Sequence, residues 1–265
     1  MNALSAHLDG VAVLGPGLGD WPATAAILSG ASAYAPGPAQ LPAVQALPAA
    51  ERRRTGRIVR LAIALGLEAA ARAELEPASL PAIFSSSAGD GDNCHEICAA
   101  LATAERQLSP TRFHNSVHNA AAGYWSIATG SMAASTALSA YDASFAAGLL
   151  EALTQVAAFA RPVLLVACDT AYPPPLHAAR PLAECFGAAL VLAPARSPRT
   201  IARLTATLAM RAADTLAEPW LEQLRLGTPA GRSLPLLRLL ARRETAAVGI
   251  DYLGSRCLII EVEAC

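Results

Sequence analysis

Four groups of residues in this chain have the types and spacing that could support chemistry, and the first is a pair of cysteines. Cys94-His-Glu-Ile-Cys98 places two thiols one helical turn apart, with an imidazole between them. A structural zinc site needs four such ligands, and no second Cys/His pair follows at a suitable spacing. We interpret the segment as a half-buried helix with small thiols, and we expect neither a metal nor a cofactor.

Two further motifs lack the setting that their chemistry needs. Cys168-Asp-Thr-Ala could hold a nucleophile, but it leads into Tyr-Pro-Pro-Pro, so no helix can begin there and lower the thiol pKa. We expect Cys168 to be a core residue.

Gly15-x-Gly17-x-Gly19 is similar to a dinucleotide-binding turn, yet no acidic residue follows about twenty positions later. A plain tight turn is the better interpretation.

The fourth group, His114, His118 and Asp142, lies around a sharp turn between a predicted strand and a predicted helix. A strand is predicted at 133–139 and a helix with a single charged residue at 143–160. A strand, a sharp turn and a buried helix form the geometry of a nucleophile elbow. The three side chains could form an acid–base group there. We favour a simpler arrangement, in which Asp142 caps the helix and His118 is a hydrogen-bonded core residue near a subunit contact.

The elements that must position these residues alternate between strands and helices. Strands are predicted at Val11–Leu14, Pro81–Ser87, Ala133–Ser139, Val163–Cys168, Gly187–Leu192, Thr200–Leu208 and Cys257–Val262, with those at 187–192 and 200–208 adjacent. Helices are predicted at 49–75, 93–107, 116–130, 143–160, 215–225 and 234–243, and a long loop at 31–48. This alternation predicts an α/β fold whose sheet is covered on both faces.

The composition excludes several classes of protein. Apolar residues make up 54% of the 265 residues and charged residues only 15%, the opposite of a disordered chain. All 20 basic residues are arginine, which excludes lysine-dependent Schiff-base and P-loop chemistry, and a net charge of −1 argues against a nucleic-acid surface. No signal peptide or membrane-length apolar window is visible. We expect a cytoplasmic protein whose six cysteines are reduced and mostly buried.

From Ser116 to Thr170 the chain resembles, without a gap, the β-ketoacyl synthases of the thiolase superfamily. The shared positions are Asn119, Ala122-Gly123, Ser126-Ile127 and Gly130, followed by Arg180-Pro181 and the glycine-led strand at 187–192. The resemblance implies a thiolase-like α/β fold. Residues 1–195 would form the N-terminal half of a ketosynthase, and residues 196–265 would form a shortened C-terminal segment packed on the same domain.

The departures from the family indicate a loss of catalysis. The family's nucleophilic cysteine falls on Asp142, and its two catalytic histidines have no counterpart because no histidine follows His177. A carboxylate cannot replace the thiolate, since its attack on a thioester would form a mixed anhydride in an uphill step. The resemblance therefore implies a chain-length-factor-like subunit. Such a subunit forms a heterodimer with an active ketosynthase in type II fatty-acid or polyketide synthesis, including aryl polyene systems, and helps to shape the acyl pocket.

We expect no catalytic residue, and the pocket or interface candidates are His114, Ser116, His118, Asn119, Tyr124, Tyr141, Asp142 and Phe145. The apolar helix at 143–160 and the segment 113–130 should meet the partner, because obligate interfaces are more apolar than ordinary surface. Acyl carrier protein should bind through the complex. Two alternatives remain open. One is an acyltransferase or thioesterase using His118 with Asp142, or Cys168. The other is a stand-alone homodimer that binds acyl carrier protein through Arg53 and Arg57.

Overall fold

The computed structural model describes residues 3–182 and 184–265, and within them eight strands form one mixed sheet. The strands are β1 Leu4–Leu14, β2 Ala82–Ser85, β3 Ser135–Leu138, β4 Val163–Asp169, β5 Phe186–Ala193, β6 Ala202–Ala209, β7 Ala246–Asp251 and β8 Cys257–Ala264. Their order in the sheet is β3-β2-β4-β5-β1-β6-β8-β7. Strand β2 runs parallel to β3 and β4, and the remaining neighbours are antiparallel.

Helices lie on both faces of this sheet. They are α1 Trp21–Ser29, α2 Ala49–Arg52, α3 Arg57–Ala73, α4 Gly91–Leu101, α5 Pro110–His114, α6 Ala120–Thr129, α7 Ser144–Phe159, α8 Pro174–Ala179, α9 Pro219–Gly227 and α10 Leu234–Arg242. Short 3₁₀ turns occupy Pro77–Ser79, Tyr141–Ala143 and Ala230–Ser233. Helix α3 packs in the core on one face, and α7, α9 and α10 pack in the core on the other. The predicted α/β fold with a doubly covered sheet is confirmed.

The central strands are buried along their whole length, which allows helices to approach both faces closely. Every residue of β4 and β5 is buried. At Gly10 in β1, an added Cβ would overlap the carbonyl oxygen of Ala69 in α3, so only glycine fits there. Helix α7 buries its apolar side against β1, β2 and β4. The low charge that suggested a partner contact for this helix is therefore explained within the chain.

Several predicted elements differ from those observed. The helix predicted at 49–75 is broken between Arg52 and Arg57, where Asn115 Nδ2 donates to the Arg54 carbonyl at 2.9 Å and Gly56 has extended backbone. Side-chain capture of the backbone and a glycine both oppose a continuous helix. The strands predicted as adjacent, now β5 and β6, are separated by β1, which pairs with both of them. The helix predicted from residue 116 begins at Ala120.

Residues 196–265 continue the same sheet. Strand β6 pairs with β1, and β8 and β7 extend the sheet beyond it. The cysteines are less buried than predicted, because Cys94, Cys98 and Cys265 are exposed whereas Cys168, Cys185 and Cys257 are buried; all six are free thiols. In the part of the chain that the structure describes, no helix combines the length and apolarity needed to cross a bilayer.

The two outermost strands of the sheet, β7 and β3, differ in the hydrogen bonding of their outer edges. At β7, Asp214 caps the edge at Gly249, because its backbone N–H donates to the Gly249 carbonyl at 2.9 Å and its Oδ2 accepts from the Gly249 N–H at 2.7 Å. At the other end, β3 pairs with β2 on its inner side, through bonds that include those to the Ala134 and Leu138 carbonyls. Alternate residues of a parallel strand face the same neighbour, so the Ser135 and Ala137 N–H groups point outward. The β3 edge is open.

Candidate functional site

The predicted strand, sharp turn and helix are present around Tyr141. Strand β3 ends at Leu138, a 3₁₀ turn follows at Tyr141–Ala143, and α7 begins at Ser144. Ser139 Oγ donates to the Ser87 carbonyl at 2.7 Å, and Ser144 Oγ accepts from the Ala140 N–H at 3.1 Å. These two bonds fix the entry and the exit of the turn, so its conformation is set by the surrounding fold.

Tyr141 is the strained residue of this turn. Its φ is +56°, a left-handed conformation that costs a bulky residue roughly 1–3 kcal/mol. A nucleophile elbow places its nucleophile at such a strained position. On geometry that position is Tyr141, one residue before Asp142, to which the ungapped resemblance gives it. Neither residue carries a thiol.

Asp142 does not cap α7, which corrects the prediction from sequence. The residue at the cap position is Ala143, and no side chain caps the helix there. The Asp142 carboxylate instead accepts from Arg180 Nη2 at 2.6 Å, and Arg232 Nη2 lies 3.9 Å from its other oxygen. Asp142 lies within the 3₁₀ turn, where its carboxylate is within reach of two guanidinium groups and pairs with them in preference to the helix N–H groups.

Arg180 and Arg232 connect the turn to the rest of the molecule. The Arg180 guanidinium stacks 3.6 Å from the centroid of the Tyr141 ring and also donates to Ser87 Oγ at 3.2 Å. Arg232 donates to the Arg225 carbonyl at 2.8 Å and lies 3.5 Å from Asp251 in β7. Burial lowers the pKa of Arg232. A chain of charged groups thus links Tyr141 to the C-terminal segment.

The histidines do not join Asp142 in an acid–base group. His118 Nε2 lies 3.2 Å from the Ser86 carbonyl, and Asp142 is engaged by arginines. His118 is hydrogen-bonded as predicted, but it is exposed rather than part of the core, and His114 is also exposed. His114 ends α5 and His118 lies in the loop between α5 and α6; both are on the surface, where their imidazoles stay hydrated. The geometry does not favour proton transfer between these side chains.

Cys168 is buried in the core, as predicted. Burial raises the pKa of its thiol well above the usual value, so the reactive thiolate is disfavoured. The neighbouring Asp169 is also buried and accepts from the N–H groups of Ser87 at 2.8 Å and Ala230 at 3.0 Å. The cavity between Cys168 and His118 measures about 20 Å³, room for a single water molecule and not for an acyl chain.

The other predicted site residues divide by burial. Ser116 and Asn119 are exposed. Tyr124 is buried and donates to Asn115 Oδ1 at 3.1 Å, while Phe145 lies fully inside the core. Tyr124 and Phe145 therefore cannot contact a partner directly, which corrects the interface part of their assignment, while the pocket part stays a prediction. Both belong to helices whose apolar sides face the sheet, and a sequence pattern does not separate such residues from an interface.

Arg57 serves the fold, and its assignment as a carrier-protein contact stays a prediction. It pairs with Asp92 at 2.7 Å and donates to the Ala171 carbonyl at 3.0 Å, tying α3 to α4 and to the loop after β4. Arg53 is exposed. Both line an open cavity of about 580 Å³ together with Arg54, Arg60, Arg112, Asp90 and Asp92. The excess of arginine makes this cavity attractive to an anionic group.

The remaining motifs take simple structures. Gly15 and Leu18 exchange two backbone hydrogen bonds of 3.0 Å, and Gly17 has a φ of +62°, so the glycine motif is the predicted tight turn. Cys94 and Cys98 lie on the exposed side of α4 instead of being half-buried. Within residues 3–182 and 184–265, no cluster of three or more His, Cys, Asp or Glu side chains is arranged to hold a metal ion.

An uncharged surface adjoins the open β3 edge. No Asp, Glu or Arg occurs from Phe113 to Tyr141. Five large apolar side chains of this segment are nevertheless exposed: Phe113, Val117, Ile127, Met132 and Tyr141. We call residues 113–141, with the β3 edge, the uncharged surface. The sequence predicts a partner contact for its first part, residues 113–130, which stays a prediction. It does not point to Met132 or to the two arginines at the turn, because their proximity depends on distant segments.

A family model described as the N-terminal domain of β-ketoacyl synthase matches residues 27–245 of the chain. A comparison with curated protein sequences finds no match. Among solved structures, the complex of the ketosynthase ApeO with its chain length factor ApeC from Xenorhabdus doucetiae contains a chain 24% identical to this one. The TM-score is 0.74, and the alignment covers 97% of this chain and 99% of that one.

Two other solved structures have similar folds at lower identity. The ishigamide ketosynthase/chain length factor matches with a TM-score of 0.74 and 12% identity, over 98% of this chain and 99% of that one. The AntDE:AntF complex, a type II polyketide synthase acyl-carrier protein with its ketosynthase, matches with a TM-score of 0.75 and 11% identity over the whole of both chains. At these identities the likeness concerns the fold, and the predicted thiolase-like architecture is confirmed.

Proposed function

Because the chain belongs to the β-ketoacyl synthase N-terminal domain family, we propose that it is a non-catalytic, chain-length-factor-like subunit. It would form a heterodimer with an active β-ketoacyl synthase and help to shape the pocket that holds the growing acyl chain. The observation that carries the proposal is the uncharged surface beside an open sheet edge, next to an elbow that has no thiol.

The turn between β3 and α7 supports the absence of catalysis. A phenol or a carboxylate stands where a synthase needs a thiolate, and an acyl group transferred to Asp142 would be a mixed anhydride, higher in energy than the thioester. The carboxylate also accepts a hydrogen bond from Arg180, which occupies a lone pair of its oxygen and weakens it as a nucleophile. No histidine follows His177, so the two histidines that assist decarboxylation in the family are also missing.

The uncharged surface supports association with another chain. Unpaired edge strands are normally protected by charged residues or covered by other elements, and β3 has neither protection. Depletion of charge and exposed aromatic or methionine side chains are typical of interface cores. A second chain that adds a strand to β3 would satisfy the outward N–H groups of Ser135 and Ala137 and cover Met132, which is 97% exposed.

Relatives of similar size support the choice of partner. The complex from Xenorhabdus doucetiae is described as a ketosynthase with its chain length factor, and so is the ishigamide structure. The proposal places this chain in type II fatty-acid or polyketide assembly, including aryl polyene systems, in the cytoplasm. Residues 1–195 would correspond to the N-terminal half of a synthase and residues 196–265 to its reduced C-terminal segment.

Acyl carrier protein would reach the active site through the complex. The arginine-lined cavity at Arg53 and Arg112 offers a positive surface for an acidic partner such as a carrier protein. With Arg57 engaged by Asp92, Arg53 is the better candidate of the two arginines predicted from sequence. This contact would add to the heterodimer and does not require the chain to act alone.

Co-expression with a full-length β-ketoacyl synthase encoded by a neighbouring gene tests the proposal. The two chains should co-purify as a 1:1 complex, measured by light scattering after gel filtration, and the complex should elongate acyl-carrier substrates that this chain alone leaves unchanged. A chain that stays monomeric in the presence of the synthase would contradict the proposal.

A matched pair of proline variants tests the β3 edge. Ala137→Pro removes an outward N–H of β3, and Ala247→Pro removes the corresponding N–H of β7 at the capped end, two residues from Gly249. Ala137→Pro should weaken binding of the synthase by at least tenfold, whereas Ala247→Pro should bind as the wild type does. Equal effects of the two variants would place the interface elsewhere.

A further inference from the structure

We propose that Tyr141 is a preorganised anchor of the heterodimer, held in place by Arg180 and Asp142 so that its ring enters a recess of the partner synthase. This inference rests on the proposed function and adds to it a residue with a specific role. It assigns a role to the altered elbow: the position that would hold the nucleophile of a synthase holds a partner-binding side chain in this chain.

The backbone of Tyr141 first suggests this role. Its left-handed φ of +56° is unfavourable for a tyrosine, and glycine or asparagine would fit the turn better. Strained residues of this kind cluster at sites of function, where the surrounding structure imposes the conformation. Here the imposing contacts are the Ser139 and Ser144 hydroxyl bonds on either side of the turn.

The ring is then fixed from one side only. Arg180 stacks on one face at 3.6 Å, and Arg180 is itself held by Asp142 at 2.6 Å and by Ser87. The Tyr141 residue nevertheless remains 61% exposed. An exposed tyrosine ordinarily samples several rotamers, and holding it in one reduces the entropy that binding must remove.

The neighbourhood indicates what the ring meets. Tyr141 follows the open β3 edge by three residues, so a partner strand added to β3 must approach the turn. Tyrosine is among the residues enriched at the centres of interfaces, where it fills apolar pockets. Because Arg180 covers one face, Tyr141 offers its other face, its edge and its hydroxyl. The fitting partner surface is an apolar recess with a hydrogen-bond acceptor at its base.

The test compares the affinity of variants for the full-length synthase, measured by titration of the purified chains. Tyr141→Ala should weaken binding by between tenfold and a thousandfold, and Tyr141→Phe, which keeps the ring, by tenfold or less. Met210→Ala removes a side chain that is 72% exposed at the end of β6, away from the β3 edge, and should bind as the wild type does.

Tyr141→Gly separates an anchor from a merely structural residue. Glycine adopts positive φ without strain, so this variant should unfold at the same temperature as the wild type or higher, while its affinity falls as far as that of Tyr141→Ala. Arg180→Gln should weaken binding through loss of the ring's support. If the wild type binds the synthase and Tyr141→Gly binds equally well, the anchor role is overturned and the heterodimer stands. If the wild type does not bind, both proposals fall.

Discussion

Asp142 binds arginines from two distant parts of the chain, and this pairing explains the residue better than helix capping does. Arg180 follows β4 and Arg232 follows α9, yet both reach the turn before α7. Their guanidinium groups are largely buried, with 18% and 11% of each side chain exposed. Buried cations need anionic partners, so Asp142 has a clear structural role without any chemistry on a substrate.

Replacement of Asp142 should lower the free energy of unfolding and leave the rate of thioester hydrolysis unchanged. Asp142→Ala leaves two buried guanidinium groups short of an anion, and we expect a loss of about 1–2 kcal/mol, modest because the carboxylate is itself half-exposed. Urea unfolding measures this change, with Glu105→Ala, in an exposed loop, as the control. Thioester hydrolysis by the isolated chain should be at the background rate before and after the change. A specific hydrolysis that Asp142→Ala abolishes would revive the acyltransferase or thioesterase alternative.

A second residue-scale prediction concerns acid stability. Hydrogen bonds from Arg225 lower the pKa of Glu222 from its usual 4.5, so the folded state favours the carboxylate. The stabilisation is therefore present above pH 4.5 and is lost as the pH falls below it. Glu222→Gln should unfold more easily than the wild type at neutral pH, and the difference should shrink on acidification. A difference that stays constant with pH would show that packing, and not charge, explains the effect.

At the scale of elements, the sequence predicted most strands and helices whose hydrophobic pattern matches the way they are buried in the fold. Strands β4, β5 and β8 are continuous apolar runs, and α7 has a clear helical pattern, so each was predicted. Helix α1 and strand β7 were missed, since α1 has small or apolar residues on all sides and little helical periodicity, and β7 begins with two exposed alanines. The placement of β1 between β5 and β6 depends on long-range pairing, and the pattern of a single strand carries no information about that.

The break between α2 and α3 leads to a prediction about two neighbouring arginines. Arg57 joins three elements through Asp92 and the Ala171 carbonyl, while Arg53 lies exposed in the break. Arg57→Ala should lower the free energy of unfolding by about 1–2 kcal/mol, and Arg53→Ala should change it by less than about 0.5 kcal/mol. Chemical denaturation of both variants measures the contrast. Equal losses would mean that Arg57 contributes no more to the fold than a surface charge does.

At the scale of the whole molecule, the high apolar content has two destinations. Most of it fills the two cores on either side of the sheet, which also accounts for the uncharged helix α7. The remainder is exposed, in part at separate positions such as Met210 and in part together on residues 113–141, where no charged residue is present to keep the surface soluble. The composition alone could not separate these two parts, because it does not show which apolar residues face the sheet.

Covering this surface should stabilise the fold. A partner that binds only the folded chain raises the free energy of unfolding by about 2.7 kcal/mol when present at a hundred times its dissociation constant. The thermal midpoint of this chain should therefore rise with the concentration of added synthase. The Ala137→Pro variant should show a smaller rise at each concentration. A thermal midpoint that does not change with the concentration of synthase would mean that the two chains do not associate in their folded states.

The difference between the β7 and β3 edges also affects how far the sheet can extend by pairing with further chains. A sheet with two open edges can recruit chain after chain and lengthen into a fibre. Here Asp214 occupies the outer edge of β7 at Gly249 and interrupts it in the middle of the strand, whereas the β3 edge has no such bonded residue. An added strand therefore pairs more readily at the β3 end. Once the partner fills that end, only the interrupted edge is exposed, which disfavours polymerisation of a protein rich in apolar residues through its own sheet.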